Sequence, residues 1–435
     1  MSDQFSMDRR RFLGLSAGAA LLLTAAGEII AAPEGSGSPA TTPGAAPAAA
    51  PKPNPGPPVK CAVIGLGVQG RAILEGLKKE GAAPVAAVCD NYAGAFNRAR
   101  ALAPQAATLE DYRRVLDLPD VQAVFVATPT HLHKQIVLDA VSAGKAVYCE
   151  APIAHTVEDA REIALAGKGS KNVFQVGLVQ RADPLAQQVI KFIDADAVGT
   201  LVQARAQYNK RNSWRRAAST PEREKALNWR LSKAISTGIA GEAGIHQIDL
   251  ISWFAKTLPV SVTGYGSIIG WPDGRDTPDT VQALIEYPKG MYLNFAGTLV
   301  SSFDNVNETL MGVNSAIFMR GGRGWMVKEA DSPALGWEVY ARKEPAQGET
   351  GIALVANATK ILDMGAKPSA TAAPAVTEDE YTHQSVADFV MAVRKKTKPA
   401  AGWKEGFEST VSAIKVNEAI VSGTKITFQK NWFEL

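Results

Sequence analysis

The chain has little cysteine, little aromatic content and almost no net charge. Three cysteines in 435 residues (Cys61, Cys89 and Cys149) cannot build a disulfide framework and show no metal-ligand spacing. They read as buried thiols on strands. A formal charge of +3 gives no basis for nucleic-acid binding, and much of the excess sits in Arg9-Arg10-Arg11. Long apolar runs are also missing. The one candidate, 15–26, is shorter than the ~20 residues of a spanning helix and carries Gly and Ser. What is present is bulk: 46% hydrophobic residues over this length exceed one ordinary core, so two domains are expected.

The N-terminus reads as an address. Arg9-Arg10-Arg11-Phe12-Leu13 before a short apolar segment describes an export signal of the twin-arginine type over residues 1–32, which sends proteins out already folded. An uncleaved signal acting as a membrane anchor is the alternative. Residues 33–58, mostly Ala, Pro, Gly and Ser, lack the apolar bulk to offset their ordering entropy and read as a linker or arm.

The stretch from Val59 to Asp90 carries the main motif. An apolar strand-like run, 59–64, leads into Gly65-Leu66-Gly67-Val68-Gln69-Gly70, a helix-like segment, a second apolar run and Asp90. This order is the dinucleotide fingerprint. Gly65 permits the tight turn, Gly67 lets the backbone approach a pyrophosphate, and Gly70 lets helix and sheet pack closely. The helix start offers unpaired N–H groups and about half a positive charge to the phosphates. Asp90 suits a ribose 2′-hydroxyl and repels a 2′-phosphate, which favours NAD over NADP. Further on, a helix is expected over 109–118 and a buried strand over 121–128, delivering Thr128, Pro129, His131 and His133 to the carboxyl edge of a parallel sheet. A strand over 146–149 brings Glu150, Ala151 and Pro152 to the same edge. His131 and His133 alone are too few for a metal site; they read as a helix-start histidine and a cofactor-lining one.

The series Gly65-x-Gly67-x-x-Gly70, Ala127-Thr128-Pro129-x-x-x-His133, Ala143-Gly144-Lys145-x-Val147 and Glu150-x-Pro152 resembles the Gfo/Idh/MocA oxidoreductase family. The likeness covers nearly everything after residue 58. It implies an α/β chain: a doubly wound Rossmann domain over 59–180, then an α+β substrate and oligomerisation domain over 181–435 with an open, mainly antiparallel sheet. It implies NAD held by Gly65, Gly67, Val68, Gln69, Gly70, Asp90, Thr128, Pro129, His133, Glu150 and Pro152, a sugar substrate and a homo-oligomer. The family's usual Glu-Lys-Pro supplies a lysine to the reacting hydroxyl; here Ala151 stands in its place, and a methyl group neither donates nor accepts. Branches acting as NAD-dependent glycosidases lack that lysine too.

Gly238 to Asp249 resembles the family's second signature, in which an acid and a histidine four apart face nicotinamide and sugar. A single helix would put Glu242 and His246 on one face, the carboxylate orienting the imidazole as a general base. Arg181, Lys210, Trp214, Trp229, Arg230 and Asp249 are the candidate substrate contacts, since indole stacks on sugar C–H faces and guanidinium donates to hydroxyls. Strands are expected over 202–210, 260–266, 280–287, 291–299 and 316–319, and helices over 381–393 and 407–421. Residues 345–377 read as loop-rich, with a helix at 355–363. The expectation is an exported, periplasmic, NAD-dependent oxidoreductase acting on a sugar or glycoside, its cofactor tightly held. Redox-neutral glycoside cleavage through transient oxidation is the runner-up, and a non-catalytic sugar-binding protein the third reading.

Overall fold

The computed structural model describes residues 57–336, 338, 341–355, 369–371 and 375–435. The expected signal, almost all of the arm, and the expected helix beyond Val355 lie outside them.

In chain order the first half comprises β1 (Cys61–Ile64), α1 (Val68–Glu80), β2 (Val85–Cys89), α2 (Phe96–Arg100), β3 (Ala107–Leu109), α3 (Tyr112–Leu116), β4 (Ala123–Val126), α4 (His133–Ser142), β5 (Ala146–Cys149), α5 (Val157–Gly169) and β6 (Phe174–Val176). The six strands pair in the order β3-β2-β1-β4-β5-β6, all parallel. β1, β4 and β5 are buried at every position, because helices cover both faces of such a sheet and leave no polar side for alternation. The helix expected over 109–118 is shorter. Asp111 accepts from the Arg113 amide as N-cap, so α3 cannot start before it, and the residues ahead of it pair as β3.

The second half comprises α6 (Pro184–Asp194), β7 (Leu201–Asn209), α7 (Pro221–Leu227), α8 (Gly238–Glu242), α9 (Ile245–Ala255), β8 (Ser261–Ser267), β9 (Thr280–Glu286), β10 (Tyr292–Thr298), β11 (Val306–Gly312), β12 (Ser315–Arg320), β13 (Arg323–Lys328), β14 (Lys343–Ala346), β15 (Glu349–Leu354), α10 (Glu378–Lys395), α11 (Trp403–Ser422) and β16 (Ile426–Thr427). Ten strands form one sheet in the order β14-β15-β13-β12-β11-β7-β10-β9-β8-β16. Among the described residues its only parallel pair is β7 with β10. β9 and β10 bury alternate residues, whereas β8 opens on two buried ones, Ser261 and Val262; α8 and α11 cover one face of these strands and the other is open. The stretch expected to be loop-rich holds β15 and the end of β14, and β11 and β13 were not legible from pattern.

A clean division at residue 180 does not hold for the C-terminal segment. α10 returns to the nucleotide domain, where Val386, Phe389 and Val390 share a core with Val63, Leu74 and Phe125. Close approach to α1 requires Gly76, where a Cβ would lie 3.2 Å from the His383 ring. α10 also starts earlier than its apolar pattern, because Thr377 and Glu380 close a capping box.

Candidate active site

The glycine-rich turn has the shape its residues require. Gly65 adopts φ +93°, and a Cβ there would fall 2.6 Å from the Ala127 carbonyl oxygen of the neighbouring strand end. At Gly70 a Cβ would sit 1.9 Å from the Gly65 carbonyl oxygen, so α1 rests directly on the turn. Gly67 is the N-cap of α1 and no side chain caps that helix; nothing lies within 4 Å of a Cβ placed on it. The first-turn amides of α1 thus meet open space, which fits a dinucleotide pyrophosphate. Asp90, at the end of β2, accepts from the Leu66 amide at 2.8 Å and the Tyr92 amide at 2.9 Å. Those two bonds fix the carboxylate beside the turn and leave lone pairs for ribose hydroxyls.

Two of the expected cofactor residues sit behind the cleft. His133 is buried, with Nε2 2.9 Å from the Thr128 carbonyl and Nδ1 3.1 Å from the Pro152 carbonyl. Burial pushes its pKa down to about 4, so the ring is neutral and its single N–H can donate to only one of these two carbonyls. The other nitrogen is left as an acceptor, and the Cys149 thiol lies 3.5 Å from Nδ1, so both nitrogens face protein groups rather than a cofactor. Glu150 is likewise turned inward. Its Oε1 accepts from Gln69 Nε2 at 3.0 Å, and the same amide reaches Thr382 Oγ1 at 3.2 Å. Gln69 and Glu150 therefore link α1, β5 and α10. Burial pushes the Glu150 carboxyl up to about 7, against the opposing bonds from Gln69 and the Ala151 amide. Thr128 Oγ1 is buried without a partner.

The expected Glu242–His246 pair on one helix does not form. The helix breaks between them: Ala243 sits at φ −136°, ψ −52°, ending α8, and α9 begins afresh after Gly244. Gly244, beside the break, packs closely on β10, where a Cβ on it would lie 2.3 Å from the Phe295 ring. Glu242 instead accepts from the Thr237 amide (3.1 Å) and hydroxyl (2.7 Å), and from Thr130 Oγ1 (3.1 Å) in the loop after β4. Arg230 Nε stands 3.7 Å from it. Glu242 is thus the bridge between the two domains rather than the orienter of His246. His246 Nδ1 is buried and has no partner among the described residues. Burial lowers the pKa of this imidazole, against the nearby charges of Asp249 and Glu378. A neutral imidazole results, able to take a proton.

Around this centre Arg230 lies 4.3 Å over the Trp229 ring and 5.9 Å from that of Trp214. Lys210 pairs with Glu378 at 2.5 Å. Arg181 and Asp249, also expected as substrate contacts, bind each other: two bonds of 2.8 Å join them, and Ser409 Oγ donates to Asp249 at 2.5 Å. They line a separate cavity of about 740 Å³ with Trp253, Glu405, Glu408 and Phe433, which includes none of the cofactor residues. Sequence reasoning missed Thr130, Thr237 and Glu378. Glu378 stands far from His246 in the chain and carries no local signal; Thr130 lay inside a loop already singled out.

A family model described as "Oxidoreductase family, NAD-binding Rossmann fold" matches residues 59–178, and one for the "GFO/IDH/MocA C-terminal domain" matches 186–323. Levoglucosan dehydrogenase of Pseudarthrobacter phenanthrenivorans is 33% identical over 141 residues, 32% of this chain and 34% of that one. The scyllo-inositol 2-dehydrogenase (NAD(+)) of Bacillus subtilis is 27% identical over 60% of this chain and 73% of its own length. For 2,7-anhydro-N-acetylneuraminate hydratase of Escherichia coli the figures are 26%, 53% and 59%. The chain thus spans only about a third of the first of these relatives and under two thirds of the last. Levoglucosan dehydrogenase in complex with NADH and L-sorbose superposes with a TM-score of 0.69 at 20% identity, over 85% of this chain and 99% of that one. For aldose-aldose oxidoreductase from Caulobacter crescentus the TM-score is 0.64 at 17% identity, over 85% and 100%. The uncapped helix start, the fixed Asp90 and both family matches lead to one conclusion: the chain belongs to the GFO/IDH/MocA oxidoreductase family and its cofactor is NAD.

Proposed function

We propose that the protein moves a hydride between a ring carbinol carbon of a sugar or glycoside and NAD, with His246 as the general base. The observation that carries this reading is His246 itself, a half-buried imidazole kept neutral, its buried Nδ1 without a partner among the described residues. It follows α8, whose Glu242 is tied to Thr130 at the carboxyl edge of the parallel sheet. NAD, when bound, supplies the hydride acceptor. The α1 start and Asp90 would hold its pyrophosphate and ribose, while His133 packs behind Thr128 and Pro152. His246 takes the hydroxyl proton as the carbinol carbon is oxidised, and burial protects that neutral state from water. Trp229 and Arg230 form one wall for the sugar. Sugar, polyol and anhydro-sugar relatives support this substrate class. The test is NADH absorbance on mixing the NAD-loaded protein with a panel of pyranosides and inositols, with His246→Asn as control. If the variant oxidises the same compound at the wild-type rate, the assignment of the base is wrong.

One observation favours a second reading. Ala151 leaves the reacting hydroxyl without the usual lysine, and one relative is named a hydratase. Under this reading the carbinol is oxidised only transiently, an elimination and addition follow, and the same hydride returns, so a glycosidic or anhydro bond is broken with no net redox change. Sugar released without NADH accumulation would favour it over the first. Export by the twin-arginine route to the periplasm is part of the proposal, as are a cofactor carried out with the folded chain and an oligomer built on the open sheet face. Support comes from the arginine cluster at 9–11 and from Tyr265, Leu284 and Tyr292 exposed on that face. Among the described residues no helix is long and apolar enough to cross a membrane.

A further inference from the structure

The segment between β7 and α8 carries five arginines, and most of their charge is used internally. Arg215 pairs with Asp273 and Glu224, and Arg211 donates to the Val300 carbonyl and lies over Trp271. Two arginines face the nucleotide domain instead. Arg223, on α7, places its guanidinium 4.1 Å over the ring of Tyr92. Its Nε is buried and has no hydrogen-bond partner. Tyr92 stands two residues beyond Asp90 and its amide donates to that carboxylate, so Arg223 packs on the neighbour of the residue expected to hold the adenosine ribose. Arg216 is pinned by its backbone, which exchanges two hydrogen bonds with the Asn228 side chain (2.7 and 2.9 Å). Its side chain is exposed and has no acidic partner among the described residues.

Arg71, on the first turn of α1, feels the like charges of Arg216 and of Arg98 on α2. Burial first, and then the like charges of Arg98 and Arg216, lower the Arg71 pKa, with Glu75 the opposing acid. Arg71 is itself held to the glycine-rich turn by donating to the Leu66 carbonyl at 2.9 Å. Like charges felt at a helix start that already favours anions repel one another, and an anion bound there would relieve that repulsion. The anchoring by Arg215 and Asn228 means that this arrangement is built into the second domain rather than left to a free loop.

We propose that residues 210–230 form a clasp across the adenosine–pyrophosphate half of the bound dinucleotide, closed by Arg223 on Tyr92 and by Arg216 over the pyrophosphate, and that this clasp sets how slowly NAD leaves. The proposal rests on the retained-cofactor reading above and supplies its means. Arg216 and Arg223 are positioning residues for the cofactor, and neither touches the reacting carbon.

The test uses the full folded chain loaded with NADH, chased with excess ADP-ribose, and follows loss of NADH fluorescence. Opening one cation–π and one charge-assisted contact should speed release of NADH by about tenfold in Arg223→Ala, while association changes less. Arg216→Ala should also speed release and flatten its dependence on salt. Arg223→Lys, which keeps the charge over the ring, should fall between, and it carries the test if the alanine variant does not fold. Release at the wild-type rate in both Arg216→Ala and the best-folded Arg223 variant overturns the clasp. Wild-type protein that takes up NADH but loses it within milliseconds overturns the retained-cofactor reading and the clasp with it. Slow release that the variants do not alter would overturn the clasp alone.

Discussion

Replacing Glu150 by glutamine should stabilise the protein above neutral pH and leave it nearly unchanged in acid. The carboxyl is 8% exposed and accepts one hydrogen bond from Gln69; a glutamine keeps the shape and an acceptor oxygen. Burial raises the ionisation from 4.5 to about 7. The folded state therefore holds a proton between those two values that the unfolded chain has lost, and stability falls as pH rises from 4.5 to about 7 and then stays lowered. Over that window the wild-type residue costs roughly 3 kcal/mol, or about 2 kcal/mol if the site relaxes on ionisation. At roughly 2 °C per kcal/mol, the Glu150→Gln variant should melt about 4 °C above wild type at pH 8 and within about 1 °C of it at pH 4.5. The assay is differential scanning fluorimetry of both proteins in matched buffers across this range. The buried Glu308, also raised to about 7, is common to both and cancels in the difference. A constant difference at all pH values would refute the claim that Glu150 is held neutral by burial.

Because burial lowers the His246 pKa, the acid limb of kcat/KM should fall below the ordinary histidine value of 6.5, checked by a pH–rate profile; a limb above 6.5 contradicts a buried neutral base. Changing Asp90 to serine should narrow the preference for NAD over NADP by at least about tenfold in the Kd ratio, measured by calorimetry, since it removes the acid that repels a 2′-phosphate. Asp249→Ala should destabilise the fold by about 3–5 kcal/mol, read by denaturant titration, because it leaves Arg181 buried and unpaired.

The nucleotide half was legible because its signals are local. Gly65, Gly67 and Gly70 are close in the chain, and the constraints on them come from one turn and the strands beside it. Asp90 follows directly from the end of the next strand. The same locality misled at Glu242 and His246. Spacing of four implies a shared helix face, but the helix breaks at Ala243, next to a glycine packed on Phe295, a residue on a strand some fifty positions later. His133 shows a related limit. Its place near the cleft was readable, whereas the two carbonyls that its nitrogens face belong to the ends of different strands.

By itself the chain determined the Rossmann order of its first half, the nature of its cofactor and the position of a candidate base, because alternation, glycine geometry and end-of-strand placement act over a few residues. Only the tertiary structure decided which partner each polar group takes. Glu242 turns to Thr130, Asp249 to Arg181, Gln69 to Glu150 and Arg223 to Tyr92. Those choices depend on desolvation and close packing between distant segments, where a buried polar atom must find whatever donor or acceptor the fold brings near.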